Sequence, residues 1–422
     1  MKRKSSLTPF FDKLETRSPK AREAALLAAL PRQIAHAKRR APGFSRILEK
    51  VSPEKVRSRA ALAALPVTRK SDLGALQAAE RPLGGLNATP VEKLAKLFMS
   101  PGPIYEPEGR AKNWWRTARA LFAGGFRAGD RVANTFAYHF TPAGSMMESG
   151  ALALGCTVLP AGVGQTELQA TAIRDLGIGA YIGTPSFLKL IVEKADELKV
   201  DISSLVKAHV GAEYLPPALR EAMTARGIRI TQSYGSADLG SIAYESFAPG
   251  GAVNPGMILD EGLLLEIVRP GTGDPVPDGE VGEVVITTFN RDYPLIRFGT
   301  GDLSAVLPGT SPCGRTNTRI RGWMGRADQS TKVRAMFVTP KQVDEIVRRH
   351  SEVLKARLVI EGEVGDDRMT LRCEARSRPE GLAAAIVASI RDVTKLRGEA
   401  VLVDAGSLPN DGKVIEDLRK YG

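Results

Sequence analysis

The sequence predicts an α/β protein. A large N-terminal α/β domain with parallel sheets and a β-rich subdomain is expected, followed by a small C-terminal α+β domain. Three observations predict this. Between 130 and 236, short apolar runs alternate with helical stretches at the spacing of strand–helix–strand units. From 262 the pattern changes to two strand-like segments around a turn-rich linker. After 327, about 95 residues of mixed pattern remain, enough for a small domain. The expected division is 1–327 and 328–422.

The elements follow in order. Residues 10–50 read as helices, with Ala24, Leu27, Leu30, Ile34 and Ala37 at helical spacing and an end at Ala41-Pro42-Gly43. KNWWRTARALFAG (112–124) reads as a helix closed by Gly124-Gly125. VANTFAY (132–138), CTVLPAG (156–162), AYIGTP (180–185), KAHVGAE (207–213) and IRITQSYG (228–235) read as strands. Helices over 143–154, up to 176, over 186–199 and over 216–226 separate them. In such a sheet the loops at the carboxyl ends of the strands form the ligand crevice. LLLEIVRP and EVGEVVITT flank GTGDPVPDG and read as an antiparallel pair. A further helix starts at Pro340, where the missing amide costs nothing.

Composition narrows the function. Hydrophobic residues make up 43% and charged residues 25%, which excludes a disordered or collagen-like chain. No apolar run reaches the roughly 18 residues that span a bilayer. The opening MKRKSSLTPFFDKLE has a basic flank but no apolar core behind it, so export is not expected. Three cysteines, Cys156, Cys313 and Cys373, are too few and too far apart for a disulfide framework or a cysteine-based zinc site, which fits a cytoplasmic protein. The 59 Lys and Arg exceed the 47 Asp and Glu by 12. Residues 1–50 alone carry 13 basic and 4 acidic side chains, and the surplus is confined to the first hundred residues. No aromatic platform interleaves these charges, so a solvated helical face, or cations near a polyanionic ligand, is expected over nucleic-acid binding.

Generic catalytic signatures are absent: no Walker loop, no GxSxG elbow, no HExxH, and four scattered histidines. Four segments carry specific chemistry instead. In SYGSADLG (233–240), Tyr234 suits stacking on a flat ring, Gly235 admits close backbone approach, and Asp238 offers a carboxylate to Mg²⁺. In YPLIRFGTGDLSAV (293–306), Arg297, Thr300 and Asp302 stand beside two glycines, and an Asp at such a turn can accept from a ribose diol. A plain hairpin turn is the alternative. GRADQSTKVRAMFVTPKQVDEIV (325–347) opens with Arg326 and Asp328. LPNDGKVIEDLR (408–419) presents Lys413 after a glycine.

Each segment alone is explained by ordinary turns. Together, in this order, they resemble the adenylate-forming superfamily of acyl-CoA synthetases and luciferases, and most closely the phenylacetate–CoA ligase family. The resemblance spans nearly the whole chain, through LPVTRKSDL (65–73), AGGFRAGDRV (123–132), PAGVGQTELQ (160–169), PLIRFGTGDL (294–303), CGRT (313–316) and TPKQVDEI (339–346). It implies two half-reactions: a carboxylate attacks the α-phosphate of ATP to give acyl-AMP, and coenzyme A then displaces AMP. The implied cofactors are ATP, Mg²⁺ and coenzyme A, acting on an aromatic or arylacetic acid in a homodimer with neither nucleic-acid nor membrane partners.

Residue by residue, the resemblance implies that Tyr234 and Gly235 contact adenine, with Gly211, Ala212 and Glu213 along the base or Mg²⁺ edge. Asp302 would bind the ribose, Arg326 would be a second nucleotide contact, and Ser100 and Gly102 would remain from the phosphate loop. Asp238 and Glu213 would serve the metal. Lys413 would bridge carboxylate and α-phosphate, and Asp328 matches the hinge on which a mobile small domain swings. Tyr138, His139, Phe140, Ser236 and Ala237 would wall the acyl pocket. Lys70 lies in a segment similar to one near the nucleotide or thiol tunnel. Three departures stand out. In MSPGPIYEPEGR (99–110), Pro101 and Pro103 delete amide donors and Glu106 and Glu108 add negative charge. Asp238 replaces a Glu, and Ala335 replaces a Gly. Ser246 and the lone Cys313 leave no zinc site of the kind some relatives carry near CGRT. Two alternatives follow from these departures: a ligase passing its acyl group to an amine or carrier thiol, or a binding protein that has lost adenylation.

Overall fold

The structure is a computed structural model that describes residues 9–419, apart from 270–272, 328–330, 335, 363–366 and 410–413. The chain divides into two units, Met1–Met324 and Gly325–Gly422.

The first unit is built on a nine-stranded sheet. Its order is Val306–Leu307, Arg319–Ile320, Met257–Leu259, Gly240–Tyr244, Arg229–Ser236, Lys207–Val210, Ala180–Gly183, Arg131–Asn134 and Thr157–Pro160. The last five run parallel, and the pairings from Arg229–Ser236 to the other edge are antiparallel. Alternate residues of the parallel strands feed opposite faces, as a period of two requires. Ala133 and Tyr181 join the core with Leu188 and Ile191, whereas Val132, Ala180 and Ile182 join the core with Leu121 and Met147. Strand Arg229–Ser236 is where the sheet changes character. Residues 229–232 pair in parallel with Lys207–Val210, and 233–236 pair antiparallel with Gly240–Tyr244. The carboxyl ends of the parallel strands therefore open beside Tyr234.

A second, four-stranded sheet has the order Thr68–Arg69, Phe298–Ser304, Gly282–Thr288, Leu263–Val268. LLLEIVRP and EVGEVVITT do form the antiparallel pair, from Leu263↔Thr288 to Val268↔Glu283. FGTGD is not the turn expected from its Gly-Asp content. It lies within strand Phe298–Ser304, whose ladder with Gly282–Thr288 shifts register between Glu283 and Val285. That irregularity accommodates a Gly-rich strand without a reversal. Arg297 immediately precedes it at φ 44° and 1% exposure.

The opening helices also differ from expectation. Helix Pro19–Arg40 is capped by Ser18 and ends in Lys38, Arg39 and Arg40, cations that suit a helix carboxyl terminus. Pro42 does not end helical structure but starts the short helix Pro42–Ile47, because proline is accommodated in a first turn. The helix read over 112–124 is shorter, Thr117–Ala123. Asn113 and Arg116 both take positive φ ahead of it, and the Asn113 side chain accepts from the Ala118 amide at 2.9 Å.

The second unit holds a four-stranded sheet, Glu399–Val403, Arg368–Ala375, Val353–Glu361 and Ile415–Asp417, with a central antiparallel pair and parallel outer pairs. Helix Pro340–Arg348 starts at the expected proline, and Thr339 and Gln342 form a reciprocal cap. Val343 and Ile346 from this helix, with Ile386 and Ile390 from helix Leu382–Thr394, complete its core.

Candidate functional site

The candidate nucleotide residues gather where strand Arg229–Ser236 leaves the parallel sheet. Gly235 is required there, because a Cβ would stand 2.5 Å from the Gly240 carbonyl oxygen. Tyr234 is buried, and its hydroxyl donates to Asp302 Oδ2 at 2.9 Å. The Trp323 indole donates to the other oxygen, Oδ1, at 3.1 Å. Tyr234, from one sheet, and Asp302, from the other, are thus joined by a hydrogen bond. Trp323 is a functional candidate that sequence reasoning missed, since nothing in GWMGRAD says which way its ring faces.

Gly211, Ala212 and Glu213 follow strand Lys207–Val210 at the same edge. Ala212 holds φ 64°, a conformation rare for a residue with a side chain and typical of ligand-facing loops. Glu213 is exposed and accepts from the Ser186 hydroxyl at 2.6 Å. Beneath this loop, buried His209 lies between two hydroxyls, with Nδ1 3.0 Å from Thr231 Oγ and Nε2 3.0 Å from Ser233 Oγ. Burial lowers its pKa to about 4, so the ring orients Ser233 as a neutral hydrogen-bonding group.

Lys70 enters on strand Thr68–Arg69, which pairs in parallel with Phe298–Ser304. Its ammonium lies 2.5 Å from Asp238 Oδ2, and the Asp238 side chain is fully buried. Burial pulls the Lys70 pKa down, but Asp238, with Glu106 and Asp302 further off, outweighs it and holds the group above its ordinary value. The remaining Asp238 oxygen, Oδ1, is buried without a hydrogen-bond partner among the described residues.

The segment expected to receive phosphate is a hairpin, strands Lys96–Ser100 and Ile104–Glu108. Gln77 clamps it to helix Leu73–Ala79. Its amide donates to the Tyr105 carbonyl at 2.8 Å and accepts from the Tyr105 N–H at 2.9 Å. Ser100 donates its amide to Glu106 Oε2 at 3.2 Å and its hydroxyl to Oε1. Glu106 is completely buried, and burial together with the Asp238 charge pushes its pKa up to about 7. Gly102 lies in the turn between the strands. Glu108, two residues on, accepts from Trp115 at 3.0 Å and Ser145 at 2.6 Å. Sequence reasoning counted Glu106 and Glu108 as added negative charge. It did not foresee that they are internal hydrogen-bond acceptors.

Of the expected acyl-pocket residues, Tyr138 is half-buried with its hydroxyl accepting from Asn134 at 2.8 Å, while His139 and Phe140 are exposed. Ser236 accepts from the Leu239 amide at 3.2 Å and Ala237 is half-buried beside it. Arg326 belongs to the second unit. Asp328, Ala335 and Lys413 lie outside the described residues. A cavity of about 630 Å³ between helix Pro19–Arg40, helix Arg59–Ala63 and strand Leu263–Val268 shares no lining residue with this cluster.

Among the described residues no group of three or more His, Cys, Asp or Glu is arranged to hold a metal ion. Asp238 is paired with Lys70 through one of its two oxygens and Glu213 is bonded to Ser186. The oxygen this cluster leaves for a cation is Asp238 Oδ1, a hard donor of the kind Mg²⁺ takes, and one such oxygen is too few for a resident ion without ligands from elsewhere. No helix among the described residues is long and apolar enough to cross a membrane.

Comparison with known proteins identifies the family. Residues 110–290 match the AMP-binding enzyme family model. The phenylacetate–coenzyme A ligase of Thermus thermophilus is 30% identical over 93% of this chain and 95% of its own length. That of Escherichia coli is 29% identical over 97% of both chains. Among solved structures, 2-hydroxyisobutyryl-CoA ligase in complex with 2-HIB-AMP and CoA aligns over 97% of this chain and 92% of its own, with a TM-score of 0.78 at 24% identity, and so shares the fold. The chain belongs to the phenylacetate–coenzyme A ligase family of adenylate-forming, AMP-binding enzymes.

Proposed function

We propose that this protein is an ATP-dependent acid–thiol ligase that activates an aromatic or arylacetic carboxylate and transfers it to coenzyme A. The observation that carries the reading is the Asp302 carboxylate, oriented by Tyr234 and Trp323 at the carboxyl edge of the parallel sheet, in a chain matched almost end to end by phenylacetate–coenzyme A ligases. In the first step a carboxylate oxygen bonds to the α-phosphorus and the bond to pyrophosphate breaks. In the second the coenzyme A thiolate attacks the acyl carbon and AMP leaves.

Both steps concentrate negative charge, so fixed cations contribute most where charge develops. Lys70 is one such cation, held by Asp238. In this reading Tyr234 and Gly235 contact the base with Gly211, Ala212 and Glu213, Asp302 takes the ribose hydroxyls, and Ser100 and Gly102 face the phosphates. Asp238, with Glu213, would hold a Mg²⁺ ion, which would supply positive charge to offset that of the phosphates. Tyr138, His139, Phe140, Ser236 and Ala237 border the acid. Lys413 serves adenylation, Arg326 contacts the nucleotide, and the segment 328–422 turns about Asp328 between the two steps. A cytoplasmic homodimer completes the proposal.

The test is carboxylate-dependent ATP–pyrophosphate exchange, with phenylacetate first in a panel of aryl acids, followed by coenzyme A consumption. Acid-dependent exchange and loss of free thiol are expected. Absence of exchange with every acid defeats the reading.

A further inference from the structure

The donors of the 96–108 hairpin are already occupied. The Ser100 amide and hydroxyl both point at the Glu106 carboxylate, and the Lys70 ammonium acts on it electrostatically from its seat on Asp238. A backbone N–H, a hydroxyl and an ammonium are the donor types that hold a phosphate oxygen. Here the first two converge on an anion supplied by the chain itself, and the third is paired with Asp238 close enough to act on that anion's charge. The ladder fixes the backbone beneath this carboxylate, since Glu106 pairs with Phe98 and its neighbour Tyr105 is pinned through both backbone groups by Gln77. Its surroundings are not arranged for a finished structural network either. Asp238 Oδ1 and the Tyr293 hydroxyl, both of which feel or exert the local carboxylate charge, are buried with no hydrogen-bond partner among the described residues.

We propose that Glu106 is an internal competitor for the phosphate oxygens of the nucleotide: its carboxylate holds the Ser100 amide and hydroxyl in a closed arrangement that an incoming triphosphate must displace. This rests on the nucleotide reading given above and adds a residue that sets the affinity of that same site. ATP affinity is thereby held below what the donors alone would give, because placing one anion beside another is unfavourable in a water-poor pocket.

The experiment measures binding, not turnover. Glu106→Gln removes the charge and keeps the shape. Dissociation constants for ATP with Mg²⁺, adenosine and phenylacetate are read at pH 8.5, above the raised Glu106 pKa of about 7, by isothermal titration calorimetry on the full chain, wild type and variant. ATP is expected to bind about tenfold tighter to the variant, with adenosine and phenylacetate unchanged. Unchanged or weaker ATP binding, or no ATP binding to either protein, overturns the proposal. So does an equal gain for adenosine, which lacks phosphate, or a gain confined to phenylacetate. Where the Gln variant shows no cooperative melting transition, Glu106→Met carries the same measurement with the same expectation. The ligase reading fails separately, by absent exchange in the wild type, so the two failures are told apart.

Discussion

At the scale of single residues, two buried groups respond to pH in opposite senses. Glu106 has its pKa raised from 4.5 to about 7 by burial and by Asp238. The native state therefore binds more protons than the unfolded chain between these values, and this group's contribution to stability is lost as pH rises through that window. His209 has its pKa lowered from 6.5 to about 4 by burial, so it contributes stability that is present above 6.5 and lost as pH falls. In the wild type the two slopes offset each other. Glu106→Gln removes one of them. Urea unfolding at pH 5 and pH 7 is expected to show the variant gaining about 2 kcal/mol on the wild type over that interval. Parallel profiles for the two proteins would contradict the account. None of this was legible in the sequence. His209 and Glu106 are chemically unremarkable in KAHV and IYEPE, and only burial, a property of the folded chain, moves their protons.

At the scale of elements, Arg297 joins the parts that carry the site. Its guanidinium donates to Glu266 Oε2 at 3.0 Å, to the carbonyls of Ala63 and Gly273 at 2.7 Å, and to that of Leu65. Its own carbonyl accepts from the Thr68 amide at 3.0 Å, two residues before Lys70. Arg297→Ala would leave Glu266 charged, buried and unpaired, and is expected to lower unfolding stability by about 3–5 kcal/mol. Urea denaturation checks this, and a loss below about 1 kcal/mol would show that the pair is dispensable. The parallel strands were legible because buried strands read as continuous apolar runs closed by Gly and Pro. Strand Thr68–Arg69 was not, since two residues carry no period and its partner lies more than 200 positions away. The Gly-Asp of FGTGD pointed to a turn, yet the shifted ladder absorbs it as a strand. The candidate site was legible as chemistry, in Tyr234, Asp302 and Asp238, but not as a set of contacts, because Trp323 and Lys70 reach it only through the fold.

At the scale of the molecule, the basic first quarter is partly consumed within the protein. Arg17 and Arg22 pair with Glu261, Arg59 pairs with Glu23, and Lys38 donates to the carbonyls of Glu49 and Val51. Of these, the pairs of Arg17 and Arg22 with Glu261 join the basic quarter to an acid outside it, so part of its surplus is neutralised internally and is not presented as a surface for polyanions. The proposed division of labour between the units makes its own prediction. Lys413→Ala is expected to abolish acid-dependent pyrophosphate exchange and to spare thioester formation from supplied acyl-AMP. Single-turnover assays of each half-reaction check this, and equal loss of both would argue against two alternating arrangements.

The Gln77 clamp has a consequence for the dynamics of recognition. A side chain that substitutes for a neighbouring strand's peptide fixes the hairpin when the chain folds. The ordering entropy that flexible glycine-rich loops give up on meeting a ligand has here been given up beforehand. On the proposed nucleotide reading, recognition at this hairpin would involve the rotation of one carboxylate side chain, a nanosecond-class event, instead of the slower closure of a loop.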